Sequence, residues 1–320
     1  MVRLSQDLRK VSVEETPIAR SAMRRIGWRL VPFLILAYFI SFVDRVNVGF
    51  AGIQMNKDIG LTPTLFGWGA GIFFLGYFLL EVPSNLALER FGARVWITRI
   101  MATWGIMSCC MALVQGPVSF IVLRFLLGAA EAGFFPGVIL YLTYWFPSEY
   151  RARIVGIFMI AIPISSFLGS PISGALLNVN GFGLAGWQWL FILEGVPAIL
   201  LAVAVPFVLP NRPAEAAWLP ADERAWLHER LAAEAKRNAL KRQPSVWQVL
   251  ADPRVLLFAF IYFGSSASSY GLIVDGCISN AELASPGRVK HEARTGSPIL
   301  SDNGWKTGVS GSHPGHRPGR

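Results

Sequence analysis

The stretch LVPFLILAYFISFVDRVNVGF, residues 30–50, decides the fold of this chain. It is apolar apart from the neighbouring charges of Asp44 and Arg45, and about 20 apolar residues are enough for an α-helix to cross a bilayer. Asp44 lies 14 residues after Leu30, which is roughly 21 Å along a helix, so the charged pair is predicted to lie well inside the membrane. Ionisable side chains at that depth are costly and usually mark a functional site. An internal ion pair that only fixes packing is the alternative.

The rest of the composition also indicates a membrane protein. Hydrophobic residues make up 53% of the 320 residues and charged residues 15%, unlike a typical soluble domain. Seven apolar segments are each close to the length of a membrane-spanning helix: 30–50, 66–86, 95–115, 119–145, 154–177, 187–209 and 255–274. We therefore predict an all-α integral membrane protein embedded in the lipid bilayer. The polar residues before Trp28 contain no cleavage site, so we expect no signal peptide.

Lysine and arginine are concentrated on alternate connections between these spans. Seven precede the first span, three lie between the second and third spans (Arg90, Arg94 and Arg99), two between the fourth and fifth (Arg151 and Arg153), and eight between Arg212 and Arg254. The alternate connections hold only Lys57. This asymmetry predicts that the N-terminus and the long central loop are cytoplasmic and that the protein is a multi-pass protein of the cell membrane. The formal net charge of +9 is therefore attributed to topology, and no nucleic-acid partner is expected.

Nothing in the sequence indicates an enzyme, a metal site or a cofactor. Cys109, Cys110 and Cys277 lack the spacing of metal or redox sites. His313 and His316 lie in a Gly- and Pro-rich tail, where we attribute them to chance. The sequence contains no serine nucleophile elbow, phosphate loop or metalloprotease helix.

The fourth span repeats the pattern of the first. Arg124 and Glu131 are seven residues apart and so share one helix face. If each span ends where its apolar run ends, Arg45 and Arg124 lie at a similar depth, about 8–9 Å from the outer surface. Two arginines at one depth could close on an organic anion, because a guanidinium binds a carboxylate through two parallel hydrogen bonds. Pro136 is expected to loosen the backbone beyond them.

The carboxylates suggest a second property. Burial favours the neutral form of Asp44 and Glu131, whereas the neighbouring arginines favour the charged form. Carboxylates balanced in this way could take up and release protons, which coupling of anion movement to protons would require. Two structural arginine–carboxylate pairs remain the alternative.

Seven segments occur in order and with plausible spacing: VDRVNVGFA (43–51), GYFLLEVPSN (76–85), ERFGARVW (89–96), LRFLLGAAEAGFFPG (123–137), YWFPSEYRAR (144–153), LGSPISG (168–174) and GWQWLFILEG (186–195). Together they resemble the major facilitator superfamily. More narrowly, the chain resembles its anion:cation symporter branch, which carries hexonates, glucarate, tartrate and phthalate. The resemblance covers almost everything from residue 25 to residue 272.

The resemblance implies roles for particular residues in a symporter of a small organic anion and protons. Arg45, Tyr77 and Arg124 match substrate-binding positions, with Arg124 supporting the site or Glu131. Asp44 and Glu131 match proton-carrying carboxylates.

The resemblance also implies a cytoplasmic gating loop between the second and third spans. Glu81 and Glu194 match family positions as well, and we favour structural roles for both. The gating-loop residues are Glu89, Arg90, Gly92 and Arg94.

We divide the chain into a cytoplasmic segment (1–28), a six-helix bundle (29–209), a cytoplasmic central loop (210–250), a seventh span (251–274) and an atypical tail (275–320). The central loop contains ADERAWLHERLAAEAKR, residues 221–237, which predicts a short amphipathic helix. The tail is rich in Gly, Pro and His, which predicts disorder. A deletion followed by a frameshift would explain the tail, and an evolved soluble tail is the alternative.

The family fold has two six-helix bundles, so the resemblance implies that the C-terminal bundle is missing here. Alternating access requires two halves that rock about a central site. We therefore expect this chain to be inactive as it stands, although it resembles a symporter. The alternative function is a non-transporting half-bundle that dimerises or regulates a partner, and the oligomeric state is left open.

Overall fold

The structure is a computed structural model that describes residues 16–239, 248–249, 251–261, 264–265 and 268. Apart from one isolated β-bridge, the regular structure of this part is helical. Its α-helices are α1 (Pro17–Asp58), α2 (Pro63–Phe91), α3 (Ala93–Met111), α4 (Pro117–Glu131), α5 (Phe134–Trp145), α6 (Ser148–Met159), α7 (Ala161–Leu176), α8 (Gly186–Val208) and α9 (Ala221–Ala239), and a 3₁₀ turn covers Pro213–Glu215.

Five helical segments are long and apolar enough to cross a membrane. They are α1, α2, the α4–α5 pair, the α6–α7 pair and α8, and they coincide with predicted spans one, two, four, five and six. The prediction of an all-α membrane protein is confirmed. The third predicted span is the 19-residue α3, whose hydropathy is lowered by Arg94 and Arg99. It packs against α8 and α4.

The seventh predicted span lies only partly within the described residues. Its helical part covers 253–261, where the side chains are exposed. Residues 275–320 lie outside the described residues, as does the predicted disorder of that tail. The proposed domain boundaries therefore remain predictions.

Local sequence signals explain where the first two helices begin. The hydroxyl of Thr16 accepts a hydrogen bond from the amide of Ala19 at 3.3 Å, and Pro17 occupies the first helical position. Thr62 accepts from the amide of Leu65 at 3.3 Å in the same way, again with a proline following. Threonine caps the free amides of a helix start, and proline fits there because it has no amide to leave unpaired.

The fourth span is broken at the level of its acidic residue. α4 ends at Glu131, and Gly133 has a φ of 83°, in the left-handed region. A side chain there would be strained and would also collide with Ser84. Pro136, which was expected to loosen this span, lies in the first turn of α5, where proline is tolerated. The break is therefore made by Gly133, and Glu131 sits beside it.

The linker helix α9 covers the segment that was predicted to form a short helix, and it is attached to the starts of two helices, α1 and α6. Glu223 accepts hydrogen bonds from Ser21 at 2.6 Å and pairs with Arg25 at 3.1 Å. Glu234 pairs with Arg151 at 2.7 Å and accepts the amide of Ser148 at 3.1 Å. These contacts hold α9 against the starts of α1 and α6.

Candidate functional site

An ion pair in the interior of the bundle joins α1 to the end of α4. Arg45 Nε donates to Glu131 Oε1 at 2.8 Å, and Ser41 Oγ donates to the same oxygen at 2.5 Å. The Glu131 side chain is wholly buried and that of Arg45 is 11% exposed. The other carboxylate oxygen of Glu131, Oε2, is buried and accepts no hydrogen bond from the described residues. Oε1 of Glu131 is thus held by two donors, whereas Oε2 has no donor among the described residues.

Tyr77 of α2 packs against this ion pair, and we call Arg45, Glu131 and Tyr77 the cluster. The guanidinium carbon of Arg45 lies 4.8 Å from the centre of the Tyr77 ring, within the range of a cation–π interaction. Both residues are partly exposed, unlike Glu131. Arg45 and Tyr77 therefore form the accessible side of the cluster, and Glu131 forms its buried side.

Arg124 is more deeply enclosed than Arg45. It is 2% exposed, its guanidinium carbon lies 4.7 Å from the centre of the Phe73 ring, and its Nε donates to the carbonyl of Gly69 at 3.4 Å. Its Nη1 is buried and donates to none of the described residues. The charges of Asp44 and Glu131 both act on it. Arg124 thus provides a positive charge and one unused donor next to the carboxylates.

The depth of Arg45 and Arg124 below the membrane surface stays a prediction, whereas their positions along the helices are given by the structure. α1 continues to Asp58, eight residues beyond the apolar run, so Arg45 lies roughly 20 Å from the end of its helix. Glu131 lies roughly 21 Å from the start of α4, and Arg124 only about 10 Å. Arg45 is therefore level with Glu131, which agrees with their contact.

Asp44 directs its carboxylate towards α3. Trp104 Nε1 donates to Oδ2 at 2.9 Å, Ser108 Oγ donates to Oδ1, and Asn47 Nδ2 donates to Oδ1 at 3.3 Å. Adjacent residues of an α-helix point about 100° apart, so Asp44 and Arg45 reach different neighbours. Asp44 is nearly fully buried, and its negative charge is met by three donors.

Sequence reasoning missed the hydrogen-bonding partners of the two carboxylates. Ser41 lies one turn before Arg45, and Asn47 lies one turn after Asp44, within an otherwise apolar span. Trp104 and Ser108 are likewise one turn apart on α3. Polar residues at this spacing share a helix face, which is the signal that could have identified them.

The predicted gating loop forms the tight connection between α2 and α3. Gly92 has a φ of 87° and its amide donates to the carbonyl of Leu88 at 2.9 Å. The amide of Arg94 donates to the side chain of Asn211 at 2.9 Å, which ties the loop to the segment after α8. Glu89 and Arg90 are exposed, and the Arg90 guanidinium lies over the ring of Phe91.

Comparison with known proteins places this fold in a family. The family model for the Major Facilitator Superfamily matches residues 34–275. A protein of Agrobacterium vitis named "Putative tartrate transporter" is 57% identical over 251 residues, which are 78% of this chain and 58% of that protein. A quinolone resistance transporter of Acinetobacter baumannii is 44% identical over 254 residues, 79% of this chain and 58% of that protein. The chain thus spans somewhat less than two thirds of the length of these relatives.

Solved structures agree on the fold. A bacterial homologue of the human lysosomal transporter Spinster, crystallised in an inward-facing conformation, matches with a TM-score of 0.54 at 21% identity over 59% of this chain and 44% of that one. The D-xylose–proton symporter matches with a TM-score of 0.51 at 16% identity over 67% of this chain and 53% of that one. The relatives named here carry the names of transporters and not of enzymes. The chain belongs to the major facilitator superfamily.

Proposed function

We propose that the residues around Arg45 form the anion site of a proton-coupled symporter for a small organic anion, such as a sugar acid or a dicarboxylate. The single observation that carries this proposal is the arrangement of Arg45. Its guanidinium is partly exposed, lies against Tyr77, and forms an ion pair on its buried side with the wholly buried Glu131. A fixed, accessible guanidinium suits a carboxylate, which it can bind through two parallel hydrogen bonds.

The remaining charged residues fit the same role. Arg124 retains an unused donor, Nη1, which we assign to a second acidic group of the anion or to balancing the charge of Glu131. The Agrobacterium relative carries tartrate, a dicarboxylate, in its name, which supports this substrate class and the anion:cation symporter branch.

Competition for Arg45 provides a means of coupling. Glu131 and a bound anion both draw on the same guanidinium. A proton on Glu131 weakens its hold on Arg45 and leaves the guanidinium to the anion, so that proton and anion favour each other's binding. Asp44, on the same helix, is the second proton carrier in this proposal.

The proposed setting is the cell inner membrane, with the N-terminus and α9 in the cytoplasm. This orientation rests on the distribution of lysine and arginine. We propose that the connection bearing Glu89, Arg90, Gly92 and Arg94 is the cytoplasmic gating loop, since its link to Asn211 couples two spans at that end.

The test uses a chimera, because transport by alternating access requires two halves. Residues 1–272 are fused to the remaining C-terminal part of the Agrobacterium relative, and uptake of labelled tartrate into proteoliposomes is measured. Arg45→Lys keeps the charge but loses the two-pronged geometry, and it should reduce uptake about tenfold or more. The matched control is Arg237→Lys, an exposed arginine outside the site. Uptake by Arg45→Lys equal to that of the control would remove Arg45 from the anion site.

A further inference from the structure

An open groove of about 590 Å³ lies between α1 and α6 and shares no residue with the anion site. Near the starts of the two helices it is lined by Arg20 and Arg24 of α1 and by Arg153 of α6. Arg20 and Arg24 are one turn apart, so they share one face of α1. Among the described residues that line the groove, none is acidic. This end of the groove therefore carries three positive charges and no negative one.

Two of these arginines have no partner among the described residues. Arg24 and Arg153 are exposed, and neither forms an ion pair or a side-chain hydrogen bond within that part of the chain. Glu149, one turn before Arg153 on α6, pairs instead with Arg230 of α9 at 2.7 Å. The guanidinium groups of Arg24 and Arg153 are thus available to an anion that binds from outside.

Beyond the arginines the groove becomes apolar. Val31 and Ile35 line it on α1, and Ile154 and Ile157 line it on α6. Ile35 lies 11 residues after Arg24, which is roughly 16 Å along the helix. The hydrocarbon core of a bilayer is about 30 Å thick, so one leaflet accounts for about 15 Å. The distance from Arg24 to Ile35 is therefore close to the depth of one leaflet.

Gly27 and Trp28 lie where the basic part of the groove meets the apolar part. A side chain at Gly27 would meet no other part of the chain within 4 Å, so glycine leaves the groove open at this point. Trp28 is 76% exposed, and tryptophan is enriched at the level of the lipid headgroups. Trp28 thus indicates that the arginines lie at headgroup level and that the apolar part lies in the hydrocarbon.

We propose that this groove binds an anionic phospholipid, with its phosphate on Arg24 and Arg153 and an acyl chain along Val31 and Ile35. Guanidinium groups bind phosphate oxygens through parallel hydrogen bonds, and basic pockets between membrane-spanning helices suit anionic headgroups. A soluble phosphate would leave the apolar part of the groove unused. The bound lipid would join the start of α1 to the start of α6. This site is independent of the proposed function, since it requires neither transport nor a particular substrate.

Lipid titration of the purified 320-residue chain in detergent, read by native mass spectrometry, tests the proposal. Phosphatidylglycerol should bind about tenfold or more tightly than phosphatidylcholine, whose choline group cancels the charge of its phosphate. Glycerol 3-phosphate, which has the phosphate but no acyl chain, should bind more weakly than phosphatidylglycerol. Equal affinity for the two lipids would overturn the proposal. Glycerol 3-phosphate that binds as tightly as the lipid would assign the site to a soluble phosphate and overturn the lipid assignment.

Paired substitutions separate this site from the overall positive charge of the protein. Arg24→Gln combined with Arg153→Gln should weaken binding of phosphatidylglycerol about tenfold or more. The matched control is Lys236→Gln combined with Arg237→Gln, which removes two charges from exposed residues of α9 and should leave binding unchanged. An equal loss in both double variants would show that the lipid responds only to net charge, against the proposal.

Gly27→Leu tests the groove without changing any charge. The leucine side chain would fill the open space beside Arg24, and binding of phosphatidylglycerol should fall about as far as in the double arginine variant. Leucine favours a helix more than glycine does, so the fold should persist, and thermal unfolding checks this. Wild-type binding by Gly27→Leu would show that the lipid binds elsewhere, and the proposed site would be wrong.

Discussion

Removing the carboxylate of Glu131 should destabilise the bundle strongly. Glu131 accepts hydrogen bonds from Arg45 at 2.8 Å and from Ser41 at 2.5 Å, and its side chain is fully buried. Breaking a buried ion pair by removing one partner costs about 3–5 kcal/mol, because the remaining charge is left uncompensated. Arg45 is 11% exposed and can be partly hydrated, so we expect Glu131→Ala to cost about 3 kcal/mol, at the low end of this range.

The free energy of unfolding would be measured by denaturant titration of the purified chain in mixed micelles. Glu89→Ala, at an exposed glutamate of the gating loop, is the matched control and should change it by less than about 0.5 kcal/mol. Arg45→Ala combined with Glu131→Ala should cost less than the two separate losses together, because no unpaired charge remains in the double variant. Equal costs for Glu131→Ala and the control, or strict additivity, would refute the reasoning.

Three further predictions concern the backbone, the linker and the orientation. Gly133→Ala should lower the free energy of unfolding by at least about 1–2 kcal/mol, because the backbone at this position is left-handed. Gly27→Ala, in open space within α1, is the control and should not destabilise the protein. Thermal unfolding of the two variants compares them. Glu234→Ala should speed proteolysis within α9, because it removes the contacts with the start of α6, and an unchanged cleavage rate would contradict this attachment. An impermeant thiol reagent added to intact cells should label a cysteine placed at Asn178 and spare one at Asn238, and the reverse pattern would overturn the topology.

The helices of the bundle could be predicted from the sequence because bilayer thickness sets the length of an apolar span. Residues 30–50 are apolar for that reason, and the cap at Thr62 follows from local hydrogen bonding. Where a helix continues beyond the apolar run, this logic fails. α1 extends to Asp58, and Arg45 contacts Glu131 in the middle of the bundle.

The partners of the charged residues could not be predicted in the same way. Arg45 and Glu131 were each identified as buried charges, but which guanidinium meets which carboxylate depends on helix rotation and on the break at Gly133. A single sequence shows which residue types such a network contains, but it does not show towards which neighbour each side chain points.

We propose that Glu131 couples proton movement to anion movement through Arg45. The most direct test of this coupling is uptake of labelled tartrate by the chimera and by its Glu131→Gln variant, in proteoliposomes with and without an imposed pH gradient. The amide resembles a permanently protonated carboxyl group, so the variant should lose accumulation driven by the gradient. It should retain exchange of tartrate without a gradient, because Arg45 and Arg124 still offer their donors. Full gradient-driven accumulation by Glu131→Gln would show that this glutamate is structural and would contradict the account.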